Sequence, residues 1–201
     1  MSDAPRPPHD FDELYRTGSA PWDIGRPQAE VVRLAAEGEI VGDVIDLGCG
    51  TGENALHLAA LGRRVLGVDG SPVAIALARE KAVARGLQAT FLVGDALHLR
   101  KSVPRRFETG IDCGLFHLFE RDERRAYAHA LTDVLSSGST LHLLCFSDEE
   151  PPGSGPKRLA EYDIRDAFRS LFTPVRISPA TLERDDPRGP ARAWLATLIR
   201  I

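Results

Sequence analysis

The sequence predicts an α/β fold in which a doubly wound, mostly parallel β-sheet is covered by helices on both faces. Short apolar runs alternate with helix-like segments through residues 41–147, which leaves room for five strand–helix units. A glycine-rich stretch follows the first run, and acidic residues end the next ones, as is typical of the ligand-binding edge of such sheets. With 201 residues, of which 43% are hydrophobic, the chain is long enough for one domain with one core.

The first part of the chain differs in composition from the rest. Residues 1–10 contain three prolines and no apolar period, so we expect a flexible leader. Residues 11–27 combine aromatic residues with Gly and Pro and predict an ordered but irregular arm, while residues 28–38 have the apolar spacing of a helix. We therefore expect a leader, an arm with its helix over residues 11–38, and a domain over residues 39–201.

The strands and helices of this domain carry clear end signals. Ser71 followed by Pro72 is a good helix start, because Ser caps the first turn and Pro fits the first helical position. Gly86 is a typical end for the same helix. The predicted strands cover residues 44–46, 64–68, 89–93, 107–113 and 140–146, and the predicted helices cover residues 53–61, 71–85 and 121–136.

The C-terminal part begins with a loop rich in Pro and Gly, residues 148–158. This loop follows the fifth strand, and its composition fits either a mobile lid or a plain surface loop. A short helix is predicted over residues 159–170. Strands over residues 174–182 and 191–200 then predict an antiparallel hairpin at the edge of the sheet.

Charge and cysteine content exclude several classes of function. The chain has 25 Lys and Arg against 29 Asp and Glu, a net charge of −4, which gives no basic field for nucleic acid. No window is apolar over the length of a membrane span, so we expect neither a membrane nor a nucleic-acid partner. The three cysteines form no CxxC pair, which predicts neither a disulfide framework nor a metal site and favours a cytoplasmic location.

The glycine-rich stretch runs Asp46-Leu47-Gly48-Cys49-Gly50-Thr51-Gly52, between a strand and a helix. Glycines there allow a tight turn and let a ligand approach the backbone closely. The spacing does not match the dinucleotide pattern, because Glu53 stands where the third glycine belongs, and no Gly-Lys-Ser/Thr follows as in a P-loop. A Glu facing the turn is also poorly suited to a pyrophosphate, so we expect a ligand without phosphates.

This stretch, together with the acids at the ends of the next strands, resembles motif I of the class I S-adenosylmethionine (SAM)-dependent methyltransferases. The resemblance covers about residues 40–147 and implies a seven-stranded sheet whose last strand is antiparallel. It implies that Asp69 accepts the ribose hydroxyls, that Asp95 faces the adenine, and that Asp112 lies beside the methyl donor. The implied cofactor-binding residues are Asp46, Gly48, Cys49, Gly50, Gly52, Asn54, Asp69, Gly70, Ser71, Asp95, Ala96, Leu97, Asp112 and Cys113.

The arm resembles a narrower group. Tyr15 and the segment Pro21-Trp22-Asp23-Ile24-Gly25-Arg26-Pro27-Gln28 look like the entry segment of thiopurine methyltransferase-like and tellurite-resistance methyltransferase-like proteins. In that group the arm covers the cofactor, so Tyr15 and Trp22 are further candidates for contact with SAM, although they equally fit plain packing of the arm. Arg26 and Phe116 are candidates for contact with the acceptor.

His117 is the candidate catalytic base, because it follows the fourth strand at the carboxyl edge of the sheet. The alternative is a loop histidine satisfied by a backbone carbonyl. His98 is expected to face the helix layer and His142 to lie in the core.

The sequence thus predicts methyl transfer from SAM, with S-adenosylhomocysteine as product, to a small molecule, first of all a thiol. The alternatives are O-methylation of a phenolic or N-hydroxy heterocycle and a SAM-binding module without activity. Monomer and dimer remain equally open.

Overall fold

The computed structural model describes residues 9–153 and 155–201. Six α-helices and seven β-strands are found in this part of the chain, with short 3-10 helices at Ala96–Lys101 and Phe116–Leu118. In chain order they are α1 His9–Thr17, α2 Ala29–Ala36, β1 Val44–Leu47, α3 Glu53–Ala60, β2 Val65–Asp69, α4 Pro72–Ala84, β3 Ala89–Val93, β4 Phe107–Cys113, α5 Arg121–Val134, β5 Leu135–Phe146, α6 Glu161–Phe168, β6 Phe172–Leu182 and β7 Ala191–Arg200.

All seven strands belong to one sheet in the order β3-β2-β1-β4-β5-β7-β6. The pairs from β3 to β5 are parallel, and β7 is antiparallel to both of its neighbours. The predicted sheet of seven strands with an antiparallel last strand is confirmed. The chain leaves β1 toward one side of the sheet and β4 toward the other, which opens a crevice at the carboxyl ends of these two strands.

The sheet is buried on both faces, as its apolar strands require. One apolar cluster packs α5 and α6 against the sheet through Tyr127, Leu131 and Phe168. The other includes Leu34 and Leu56 from the helices of the opposite face. No helix within the described residues is both long and apolar enough to cross a membrane.

The predicted N-terminal cap of α4 is confirmed. The side chain of Ser71 accepts a hydrogen bond from the backbone N–H of Ala74 at 3.0 Å, and Pro72 occupies the first helical position.

The arm contains a helix that the sequence did not predict. Residues 11–17 belong to α1, where we expected irregular structure, because the nearby Gly18 and Pro21 masked the short amphipathic pattern. Phe11, Leu14 and Tyr15 of this helix form a small apolar cluster with residues of α4. The predicted leader lies largely outside the described residues, except that residues 9 and 10 begin α1.

The junction of α5 and β5 also differs from the prediction. The helix ends at Val134 and the strand begins at Leu135, five residues before the predicted start at residue 140. Leu135 pairs with Phe107 of β4, and the hydroxyl of Ser139 donates to the carbonyl of Phe107 at 2.7 Å. Cross-strand pairing therefore overrides the helical pattern of residues 135 and 136.

Candidate functional site

A large cavity opens at the carboxyl edge of the sheet, between the arm, the glycine-rich stretch and the β6–β7 connection. Its volume is about 800 Å³ and its wall is mostly apolar. Among the residues predicted to bind cofactor or acceptor, those in the wall are Tyr15, Trp22, Arg26, Gly48, Cys49, Gly50, Gly52, Asn54, Asp69, Gly70, Ser71, Asp95, Ala96, Cys113 and His117. The other four, Asp46, Leu97, Asp112 and Phe116, are not part of the wall.

The glycine loop contains three positions whose backbone conformation favours glycine. Gly48, Gly50 and Gly52 have φ values of 66°, 52° and 88°. A Cβ on Gly50 would lie 3.0 Å from the hydroxyl of Tyr15, and one on Gly48 would lie 2.8 Å from Cβ of Leu115. A side chain at either position would collide with these neighbours, so the turn after β1 accepts only glycine there.

Asp69 ends β2 beside this loop. One carboxylate oxygen accepts a hydrogen bond from the backbone N–H of Gly50 at 2.8 Å, and the other accepts one from Ser71 at 2.8 Å. Burial raises the pKa of Asp69. Each carboxylate oxygen can accept two hydrogen bonds, so both keep a lone pair for the hydroxyls of a ligand.

Asp95 follows β3 by two residues at the same edge, where its side chain is exposed. One oxygen accepts a hydrogen bond from the backbone N–H of Leu97 at 2.9 Å, and the other lies 2.7 Å from Nδ1 of His98. The N–H of Leu97 is therefore occupied, and Leu97 is not part of the cavity wall. The expectation that His98 faces the helix layer was wrong, because its ring is drawn to Asp95 and stays exposed.

Asp112 lies behind the cavity and braces the turn after β4. One oxygen accepts backbone hydrogen bonds from Leu115 at 2.9 Å and Phe116 at 3.3 Å, and the other accepts one from the hydroxyl of Tyr127 at 2.9 Å. Burial raises its pKa to about 6. The predicted direct contact of Asp112 with the cofactor is therefore replaced by a role in shaping the turn.

Phe116 also points away from the cavity. It is fully buried and its ring lies 5.4 Å from that of Phe168, in the core under α5 and α6. This placement corrects the assignment of Phe116 to the acceptor. The turn is a 3-10 helix, so Phe116 faces the core while the next residue, His117, reaches the cavity.

Asp46 is buried under the glycine loop, outside the cavity wall. Neither of its carboxylate oxygens has a hydrogen-bond partner in the described part of the chain. Burial raises its pKa to about 8, and the neighbouring carboxylates of Asp112 and Asp69 add to this rise. The carboxyl group is thus held in its neutral form up to unusually high pH.

His117 has one nitrogen occupied and one open. Its Nδ1 accepts a hydrogen bond from the backbone N–H of Phe146 at 3.1 Å, so the proton of the neutral ring is on Nε2. Nε2 forms no hydrogen bond with residues 9–153 and 155–201. Burial lowers the pKa of His117 to about 3. The side chain of His117 therefore presents an N–H donor to the cavity rather than a base. The alternative prediction was a histidine that donates to a backbone carbonyl, whereas the backbone partner here is the N–H of Phe146.

The arm is attached to the cavity by aromatic and polar contacts. The indole N–H of Trp22 donates to the hydroxyl of Tyr15 at 2.9 Å, and the two rings meet edge to face at 6.1 Å. Burial raises the pKa of Tyr15. Asp23 accepts a hydrogen bond from the hydroxyl of Thr51 at 2.8 Å, which ties the arm directly to the glycine loop.

The sequence suggested that Glu53 presents a free negative charge to the turn. In the structure this charge is paired. Its carboxylate forms salt bridges with Lys81 at 2.8 Å and with Arg85 at 2.8 Å. Lys81 belongs to α4, and Arg85 directly follows its last residue. Glu53 is part of the cavity wall, and because two cations balance its charge, the argument against a dinucleotide depends mainly on the spacing of the glycines.

Part of the wall comes from the β6–β7 connection, which the sequence did not assign to the site. Leu182, Arg184, Asp186 and Arg188 all line the cavity, and the nearby Phe146 does so from the end of β5. A hairpin was predicted here, but its position over the crevice depends on the insertion of β7 between β5 and β6. Nothing in the local sequence encodes that placement.

The loop after β5 is held in place where the structure describes it. The guanidinium of Arg158 donates to the carbonyl of Pro151 at 2.8 Å and to that of Pro156 at 3.1 Å. The strand-like bridge between Ser147 and Leu159 closes its base. Pro156 lines the cavity, so the loop forms a fixed part of the wall in this state.

The comparisons with known proteins agree with this geometry. The family model described as "Methyltransferase domain" matches residues 44–138. The 2-heptyl-1-hydroxyquinolin-4(1H)-one methyltransferase of Mycobacteroides abscessus is 37% identical over 182 residues, covering 86% of this chain and 80% of that protein. The chain belongs to the class I SAM-dependent methyltransferases.

Two further similarities concern sulfur chemistry. A structure solved in work on the conversion of a disulfide bond into a thioacetal group during echinomycin biosynthesis is 41% identical to this methyltransferase. It has a TM-score of 0.86 and covers 96% of this chain and 92% of the other. A probable thiol methyltransferase of Arabidopsis thaliana is 27% identical over 158 residues, 76% of this chain and 69% of that protein.

The residues of this methyltransferase fit SAM. Gly48 and Gly50 bring bare backbone into the cavity wall, and Asp69 keeps free lone pairs beside them. The described residues contain no group of three or more His, Cys, Asp or Glu side chains placed to hold a metal ion.

Proposed function

We propose that this methyltransferase transfers the methyl group of SAM to the oxygen of a flat N-hydroxy heterocycle. The observation that carries the proposal is the open Nε2–H of His117 in a mostly apolar cavity wall. A fixed N–H donor is best matched by an oxyanion, which is a strong acceptor of hydrogen bonds. A thiolate is a weaker acceptor and would use this donor less well.

The cofactor is assigned to the half of the cavity that contains the glycine loop. We propose that Asp69 accepts hydrogen bonds from the ribose hydroxyls, that Asp95 and Ala96 lie beside the adenine, and that the loop from Gly48 to Gly52 holds the methionine part. When bound, SAM supplies an electrophilic methyl group on a positively charged sulfur. The arm, residues 11–38, then covers the cofactor through Tyr15 and Trp22.

Three titratable side chains of the wall, His117, Asp23 and Asp186, are engaged in other contacts and are poorly suited to take a proton from the acceptor. His117 carries its proton on the nitrogen that faces the cavity. Asp23 accepts a hydrogen bond from Thr51, and Asp186 is paired with Arg188 at 2.6 Å. An acceptor that ionises readily in water needs no such base, which favours an acidic N-hydroxyl or a thiol over an ordinary phenol.

The chain's own residues then act by positioning. The donor at His117 holds the nucleophilic oxygen, and the apolar wall keeps water away from it, so that the oxygen faces the methyl group in line with the departing sulfur. The relative from Mycobacteroides abscessus acts on a 1-hydroxyquinolin-4(1H)-one, which is the kind of acceptor this arrangement suits.

S-methylation of a thiol is the second candidate and the first expectation from the sequence. It is favoured by the two relatives concerned with sulfur chemistry. It is also compatible with the missing base, because a thiol is partly ionised at neutral pH.

Methyl transfer from radiolabelled SAM tests the proposal. The acceptors are 1-hydroxyquinolin-4(1H)-one and benzenethiol, compared by kcat/KM at one pH. We expect the N-hydroxyl compound to be methylated more efficiently. Efficient labelling of benzenethiol alone would replace the proposal with the second candidate.

A further inference from the structure

Arg184 is held in the cavity wall from two sides. Its side chain is only 7% exposed. Nε donates to the carbonyl of Gly189 at 2.8 Å, and Nη2 donates to a carboxylate oxygen of Glu150 at 2.9 Å. The other oxygen of Glu150 accepts a hydrogen bond from the backbone N–H of Arg192 at 2.8 Å, so the guanidinium plane is fixed.

The third nitrogen of this guanidinium is open. Nη1 of Arg184 forms no hydrogen bond with any residue in the described ranges 9–153 and 155–201. Nη1 is not among the fully buried side-chain atoms of the described residues that lack a partner, so this nitrogen is accessible, and Arg184 is part of the cavity wall. An accessible, oriented donor in a mostly apolar wall marks a position for a polar ligand atom.

Arg184 and His117 flank the same aromatic ring. Cζ of Arg184 lies 5.6 Å from the ring centroid of Phe146, and the ring centroid of His117 lies 4.8 Å from it. Two open N–H donors, Nη1 and Nε2, therefore belong to side chains that share one apolar neighbour. Such a pair suits a flat molecule with two oxygen atoms.

We propose that Arg184 recognises the acceptor by donating a hydrogen bond from Nη1 to its carbonyl oxygen, while His117 holds the reacting oxygen. The substrate class is then a conjugated N-hydroxy heterocycle that also carries a ring carbonyl. This inference rests on the proposed function for the identity of the reacting oxygen. Because Glu150 offsets the charge of Arg184, the site favours a polarised carbonyl over a second full negative charge.

The two donors also explain how the nucleophile forms without a base. In such a heterocycle the negative charge of the ionised N-hydroxyl is shared with the conjugated carbonyl oxygen. A donor at each oxygen stabilises that anion, and the proton has left to solvent. The oxygen–carbon bond then forms as the carbon–sulfur bond of SAM breaks, and its electron pair stays on sulfur.

Binding of two compounds that cannot be methylated on an N-hydroxyl tests the role of Arg184. Quinolin-4(1H)-one has the carbonyl, and quinoline lacks it. Calorimetry with S-adenosylhomocysteine present measures both affinities in the wild type, in Arg184→Lys and in Arg176→Lys. Arg176 is paired with Glu39 outside the cavity wall and provides a matched control.

We expect Arg184→Lys to weaken binding of quinolin-4(1H)-one about 10- to 100-fold and to leave quinoline within about twofold. Arg176→Lys should change neither affinity. Equal losses for both compounds, or no loss for quinolin-4(1H)-one, would overturn the inference. If the variant does not fold, a wild type that binds both compounds equally well would overturn it as well.

The outcome is independent of methyl transfer. A wild type that prefers quinolin-4(1H)-one but methylates only benzenethiol would contradict the proposed function and leave the role of Arg184 supported.

Discussion

At the scale of single residues, Asp69 gives the most direct test of the cofactor site. Its two oxygens hold the backbone at Gly50 and Ser71 and keep lone pairs toward the cavity. We expect Asp69→Asn to raise the Kd for SAM about 10- to 100-fold, because a charged acceptor for the ribose hydroxyls is lost. Calorimetry measures the change, with the exposed Asp122→Asn as control. An unchanged Kd would refute the ribose assignment.

The role of His117 as a hydrogen-bond donor can be tested by replacing it with the two residues that carry a side-chain amide, Gln and Asn. The side-chain nitrogen of Gln can replace Nε2 as a donor but cannot take up a proton, and Asn is too short to reach the same position. We expect His117→Gln to keep most of the kcat/KM toward 1-hydroxyquinolin-4(1H)-one and His117→Asn to lose about 10- to 100-fold. If His117 were a base, both variants would be equally poor. The exposed His129→Gln is the control.

The pH profile gives a second view of the same residue. Because burial holds the pKa of His117 at about 3, the ring stays neutral at every working pH and contributes no limb near its ordinary value of about 6.5. We expect the acid limb of kcat/KM to follow ionisation of the acceptor, and to move when acceptors of different acidity are compared. A limb near pH 6.5 that stays fixed across acceptors would contradict this.

Site residues at the ends of predicted parallel strands could be identified from the sequence. Residues that reach the site only through the order of strands in the folded sheet could not. The glycines after β1 and the acids Asp69 and Asp95 were placed at the carboxyl edge because parallel strands all end there. Arg184 lies far along the chain and enters the wall only through the position of the β6–β7 connection. The direction of Asp112 and Phe116 depends on the 3-10 turn after β4, for which the sequence carries no clear signal.

At the scale of elements, the arm is the part whose attachment can be weakened selectively. Trp22 holds Tyr15 by a hydrogen bond and packs against Phe11 at 5.7 Å. We expect Trp22→Ala to speed SAM dissociation about tenfold and to accelerate tryptic cleavage at Arg16, because this small cluster is separate from the main core. Stopped-flow fluorescence and limited proteolysis measure the two effects.

The exposed Tyr162→Ala, an aromatic truncation on α6, is the matched control. Unchanged dissociation and cleavage rates in Trp22→Ala would show that the arm does not retain the cofactor.

The elements of the sheet followed from the sequence more closely than those of the arm. The strands around β1 are short, continuous apolar runs with glycine and acid signals at their ends, and their length and flanking residues favour strands over buried helices. The short helix α1 buries its apolar face against α4 rather than against the sheet. Its stability therefore comes from a tertiary contact, which local propensity does not reveal.

At the scale of the whole molecule, the buried carboxyl of Asp46 couples stability to pH. Its pKa is about 8 in the folded protein because of burial, against about 3.9 when unfolded. Between these values the folded state binds a proton that the unfolded state has lost, so stability falls as pH rises from about 4 to about 8. Asp112, with a pKa of about 6, acts in the same direction over the lower part of this range.

We expect Asp46→Asn to be about 5 kcal/mol more stable than the wild type at pH 8 and to differ little near pH 4, in the absence of SAM. Urea unfolding at several pH values measures this, with Asp122→Asn as the exposed control. Parallel stability curves for the wild type and Asp46→Asn would contradict the buried, neutral state of this carboxyl.

The proposed cofactor half and acceptor half of the cavity come from different parts of the chain. The acceptor preference of relatives can therefore change while the cofactor half stays the same. The proposed cofactor contacts lie mainly between residues 48 and 96, whereas the β6–β7 connection supplies Arg184. Exchange of that connection between homologues should transplant acceptor choice without loss of SAM affinity. One position in the arm has to be exchanged with it, since Gln28 and Glu183 are joined by two reciprocal hydrogen bonds of 2.9 and 2.8 Å.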